Sequence, residues 1–154
     1  MSALEAVADP VAREVLRHYF EQVNAGRIDA LTELFLEDAT IEPSSGGVHR
    51  GRADIADYYE ATLAGFAEHH DEPVRVHEAS TAIVVELVFT GVSASGAAVR
   101  FDALDLFELE GGRIRRVALW ADTAGIARQL RRGGAARAGE GAPRAPGVVG
   151  RPRR

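Results

Sequence analysis

Cysteine is absent from this 154-residue chain, which excludes a disulfide framework, a thiolate nucleophile and any Cys-based zinc site. Lysine is absent too, all 18 basic residues being Arg. No run of eighteen apolar residues occurs, so no membrane span is expected. The N-terminus also lacks the basic-then-apolar layout of a secretory signal. A soluble, cytoplasmic chain with no membrane partner is the expectation. At this length a single core is expected, because two would each bury too little surface.

Charge is unevenly spread. Seven Arg against Glu140 give residues 131–154 a charge of +6, which for an overall −5 leaves −11 on residues 1–130. So acidic a body repels phosphate backbones, and nucleic acid is not an expected partner of the folded part. Residues 132–154 are dominated by Arg, Gly, Pro and Ala, offer little apolar surface to offset ordering entropy, and are expected to form a disordered tail. The folded domain is accordingly expected over residues 1–131.

Asp9-Pro10 reads as a helix start, a capping side chain followed by Pro at the first helical position. Val11, Val15, Tyr19 and Val23 share one stripe at helical spacing, and Asn24-Ala25-Gly26 ends it. A short helix is expected from Asp29, a brief strand over 39–42, a loop at Pro43–Gly47 and a third helix from Arg52 to about Glu68. Beyond it the period changes to 2, giving strands at Val74–Glu78, Thr81–Thr90, Ala97–Glu110 and Arg113–Asp122, then a last helix from Thr123 to about Arg131. This order defines an α+β class, in which a curved antiparallel sheet wraps around three N-terminal helices. Such a cone would enclose an apolar pocket. Val117 and Leu119, with Val84 and Val88, are expected on the sheet's outer face, where a homodimer would cover them.

Alternation puts Val99, Phe101, Ala103, Asp105 and Phe107 on one face of a strand, with Asp105 the only charge in that row. A carboxyl among Phe and Ala has its charged form disfavoured and can stay protonated as a hydrogen-bond donor. His69-His70-Asp71 reads as a surface cluster at a helix end, and no metal site is expected. No Gly-rich phosphate loop follows a strand, so no cofactor is expected either.

The segments YFEQVNAGRIDALTELFLEDATIEP, GRADIADYYEATL, ALDLFELEGGRI and LWADTAGIARQL carry a resemblance to the nuclear transport factor 2-like superfamily. That superfamily includes SnoaL-like polyketide cyclases, ketosteroid isomerases and limonene epoxide hydrolases, and the likeness spans roughly residues 8–131. It implies a cystatin-like topology. Among its branches the isomerases match best residue by residue. The resemblance implies that Tyr19 and Asp105 form an oxyanion hole and that Tyr59 hydrogen-bonds Tyr19. It also implies that Trp120 is an aromatic pocket wall and that Phe35 stands where some members carry a further Tyr. With Phe101, Val85 and Leu87 these residues are the expected pocket.

One departure is prominent. The isomerases carry their general base, an Asp, directly after a Glu; here Glu42 is followed by Pro43, which moves no proton. Asp122, two residues after Trp120 as in the W-x-D ending of related proteins, is the expected acid/base, with helix capping as its alternative role. His49 and His18 are further candidates. An epoxide hydrolase would need an Arg-x-Asp pair on an inner strand, whereas Arg100-Phe101-Asp102 sits by parity opposite Asp105. The expected function is proton transfer on a small hydrophobic carbonyl compound, by isomerisation or cyclisation without a cofactor. A non-catalytic ligand-binding or dimerisation module is the alternative.

Overall fold

The computed structural model describes residues 1–140. Helix α1 spans Pro10–Ala25: Asp9 accepts hydrogen bonds from the Val11 and Ala12 amides, and Gly26 ends it in the left-handed region at φ 67°. That conformation costs a residue with a Cβ roughly 1–2 kcal/mol, which explains the stop. One face of α1, from Ala12 through Leu16, Tyr19 and Phe20 to Val23, is buried. A short α2 (Ile28–Thr32) leads into β1 (Phe35–Pro43), followed by β2 (His49–Arg50) and α3 (Arg52–Leu63). Strands β3 (Phe66–Glu78), β4 (Ile83–Ser93), β5 (Ala98–Glu110) and β6 (Arg113–Ala121) complete the sheet, and α4 runs Thr123–Glu140.

The six strands lie in the order β2-β1-β6-β5-β4-β3, a curved, unclosed sheet in an α+β fold. It is mixed rather than wholly antiparallel, because β1 runs parallel to β6, with Ile41 opposite Val117. Helix α1 lies against the sheet, and the core forms between them around Phe35, Phe107, Leu16 and Val85. Tyr19 meets the Phe107 ring edge-on at a centroid distance of 4.9 Å, a geometry worth about 0.5–1.5 kcal/mol beyond the area it buries.

Three expectations are corrected. The third helix stops at Leu63 rather than near Glu68, and Phe66 already belongs to β3. Phe66 sits three residues after Leu63 and so extends the helical stripe on paper, but residues 66–78 gain a full ladder with β4. Tight packing accompanies that ladder: a Cβ on Gly91 of β4 would sit 2.6 Å from the Glu68 carbonyl oxygen. The last helix overruns Arg131 and continues to Glu140, into the stretch expected to be tail. Its docking explains part of this, for the Gln129 amide bonds both the N–H and the C=O of Arg100 at 2.8 Å on β5. Residues 141–154 of the expected tail lie outside the described residues. Finally, Val117 is fully buried and Leu119 faces inward, whereas Val88 does lie on the outer face, beside Trp120, Leu104 and Val74. No helix among the described residues is long and apolar enough to cross a membrane.

Candidate active site

Between α1, α3 and the concave side of the sheet lies a cavity of about 370 Å3, the size of a small-molecule site. Phe66, Phe89 and Phe101 form one wall, and the Phe89 and Phe101 rings stack 4.6 Å apart. Tyr58, Tyr59, Thr62 and Leu63 of α3 form another, and Thr123 and Ile126 at the start of α4 border it. The loop from Pro43 to Gly46 adds a third side.

Tyr19 enters from mid-stripe on α1, and its hydroxyl lies 2.5 Å from that of Tyr59. Both phenols are buried, which pushes their ionisation well above the ordinary value and keeps them as O–H donors. Asp105 also faces the cavity and is only 6% exposed. Burial raises its carboxyl far above the usual carboxylate range, and the charge of Asp71 raises it further. Its carboxyl makes no hydrogen bond to any other described residue. Both effects, burial and the Asp71 charge, favour its protonated form, which can donate a hydrogen bond.

Asp71 is the functional candidate that sequence reasoning missed. Read as part of a helix-end surface cluster, it instead sits in β3 opposite Phe89 and lines the same cavity as Asp105. Burial raises its carboxyl to about 6. The side chain of Asn24, in the last turn of α1, bonds both backbone groups of Asp71, accepting from its N–H at 2.7 Å and donating to its C=O at 2.9 Å. In β3, residues 69, 71 and 73 are half-buried and alternate with exposed neighbours, a pattern that the run of polar side chains conceals in the sequence.

The other expected site residues divide. Tyr59, Phe101 and Leu87 line the cavity with Tyr19 and Asp105. Phe35 and Val85 do not; both are wholly buried in the core, Phe35 with its ring 6.4 Å from that of Tyr19. Trp120 pairs with Leu104 on the outer face, stays 45% exposed and borders the cavity and an outer groove alike. Asp122 is not brought to the cavity. Its carboxylate accepts from the Gly125 amide at 2.9 Å and lies 3.6 Å from Arg128, so it caps α4 at the surface.

Pro43 borders the cavity, while Glu42 turns to the other face and pairs with Arg116 at 2.6 Å. His49 also borders the cavity, its ring 4.9 Å from Tyr58, whereas His18 pairs with Glu14 on the exposed side of α1. Arg100 and Asp102 are exposed on the outer face, so no Arg-x-Asp pair reaches the cavity from β5.

A curved sheet packed on helices around an apolar cavity points to the SnoaL-like class. The chain belongs to that family, the SnoaL-like domain matching residues 16–117. No curated protein matches it. Among solved structures it is similar to SalBIII, described as an epoxide hydrolase/cyclase-like enzyme with a role in pyran ring formation in the polyether salinomycin. That match has 28% identity and a TM-score of 0.65, covering 73% of this chain and 92% of that one. It is also similar to a protein of ketosteroid isomerase-like fold from Catenulispora acidiphila in complex with trimethylamine, at 20% identity and a TM-score of 0.69, over 75% and 91% of the two chains. A third is TerC co-crystallised with polyporic acid, at 15% identity and a TM-score of 0.71, over 80% and 99%.

Proposed function

We propose that this protein is a cofactor-independent enzyme that moves a proton next to the carbonyl of a small, ring-containing apolar molecule, by isomerisation or by aldol-type ring closure. The observation that carries this reading is the meeting, in one apolar cavity, of the Tyr19–Tyr59 hydroxyl pair and the buried Asp105 carboxyl, whose protonated form that burial favours. In the Tyr–Tyr bond one hydroxyl donates to the other, which leaves the second O–H free for a ligand. Two donors can then meet one oxygen as it gains charge on enolisation. Donors fixed in advance in a dry site typically contribute about 10²–10³ in rate each. The aromatic wall suits a planar ring, and the likeness to a cyclase-like enzyme and to a protein holding polyporic acid supports the same ligand class.

2-Naphthol, an aromatic enol, tests the reading by fluorescence titration. Binding to the parent, weakened about tenfold or more in Tyr19→Phe and in Asp105→Leu but less in Asp105→Asn, is expected. Equal and negligible effects of all three changes would favour a binding module without chemistry.

A further inference from the structure

We propose that Asp71 is the proton-accepting residue of this site and that Asn24 positions it; this rests on the reading of the cavity given above. Enolisation needs a base as well as donors, and the position after Glu42 holds Pro43. Of the other acids expected or available nearby, Glu42 pairs with Arg116 on the outer face and Asp122 is engaged at the α4 cap. Asp71 is a cavity-lining carboxyl without a hydrogen bond or ion pair to any other described residue. It is set in the row of Phe89 and Phe101, and so beside the ring-binding wall.

Its backbone is held at both polar groups by one side chain, the Asn24 amide, which fixes β3 to the end of α1 at that residue. Such a grip limits how far the carboxylate can wander from a bound ligand, the condition for efficient proton transfer.

The titratable groups around it assign the roles. His70 neighbours it on β3; Asp105 on β5, Tyr19 on α1 and Tyr59 on α3 feel its charge, and His49 borders the same cavity. The two acids cannot both ionise cheaply, and burial is heavier on Asp105, so the proton stays there and Asp71 carries the charge. In the step, the Asp71 carboxylate takes a proton from the carbon beside the ligand carbonyl. The C–H pair becomes the enolate C=C bond, and the carbonyl π pair moves to the oxygen facing Tyr19 and Asp105. Returning the proton to another carbon isomerises the ligand; attack of the enolate carbon on a second carbonyl closes a ring.

The test follows deuterium incorporation into 2-tetralone in buffered D2O by NMR, with 2-naphthol binding measured alongside. The parent should exchange above the buffer rate, rising through an ionisation near pH 6. Asp71→Asn should lose about 10²-fold or more and the pH step with it, while still binding 2-naphthol within a few-fold. Asn24→Ala should lower exchange and move the midpoint toward the ordinary carboxyl range, as the loosened strand hydrates Asp71. Full exchange in Asp71→Asn with 2-naphthol still bound overturns the assignment and leaves the oxyanion reading standing. Loss of exchange in His49→Gln but not in Asp71→Asn overturns it in favour of His49. A parent that binds 2-naphthol and does not exchange overturns it as well, and a parent that does neither overturns the reading on which it rests.

Discussion

The hydroxyls of Tyr19 and Tyr59 lie 2.5 Å apart, although forty residues separate them in the chain. One comes from α1 and the other from α3, so their contact records the closing of both helices over the sheet. Either hydroxyl can donate to the other, and the one that accepts keeps its own O–H for the cavity that Asp105 also lines.

Asp71 carries a stability cost that its proposed role explains. Its carboxyl ionises at about 6 in the folded protein, against about 4 in an unfolded chain. The unfolded state therefore releases this proton first as pH rises. Folding stability falls between about pH 4 and 6, and the deficit persists above that window. Asp71→Asn should accordingly stabilise the protein at pH 8 by about 1–3 kcal/mol and leave it nearly unchanged at pH 3.5. Thermal melts at the two pH values check this; a loss of stability at pH 8 would make Asp71 a structural anchor.

Asp122 should matter to α4 and not to the ligand. Asp122→Ala removes the acceptor of the Gly125 amide and should cost about 0.5–2 kcal/mol by chemical denaturation. 2-Naphthol affinity should stay within twofold, and a tenfold loss would return Asp122 to the site.

The base should be transplantable. Pro43 borders the cavity from the end of β1, so Pro43→Asp in an Asp71→Asn background should recover part of the lost 2-tetralone exchange, by about tenfold or more. Circular dichroism must first show that the double variant folds. No recovery in a folded protein would mean that this side of the cavity does not reach the acidic carbon.

Trp120, Leu104 and Val74, exposed at 45%, 41% and 51%, form an apolar patch on the outer sheet face. A homodimer through this face is the expectation, and Trp120→Glu should convert it to a monomer by light scattering. A parent that is already monomeric at micromolar concentration contradicts it.

Much of the fold was legible because local signals agreed with it. Asp9-Pro10 and Gly26 bracket α1, and the alternation around Asp105 carries through all of β5. Tyr19, Tyr59 and Asp105 were likewise reached by periodicity and family likeness. Asp71 was not, since the polar run from Glu68 to Glu72 hides the alternation and the register shift between Pro73 and Arg75 breaks it. Pairing with β4, a contact between distant residues, makes that run a strand. The length of α4 was obscured by its Arg, Gly and Ala content, which reads as tail until Gln129 is seen docked on β5. Parallel pairing of β1 with β6 left no local mark at all, because the two strands lie more than seventy residues apart.

The most direct test of the central claim is a crystal structure with 2-naphthol bound. The account predicts its oxygen within about 3 Å of both the Tyr19 hydroxyl and the Asp105 carboxyl, with the rings against Phe89 and Phe101. A naphthol seated with its oxygen toward Trp120 and the solvent, leaving Tyr19 and Asp105 without contact, would contradict it.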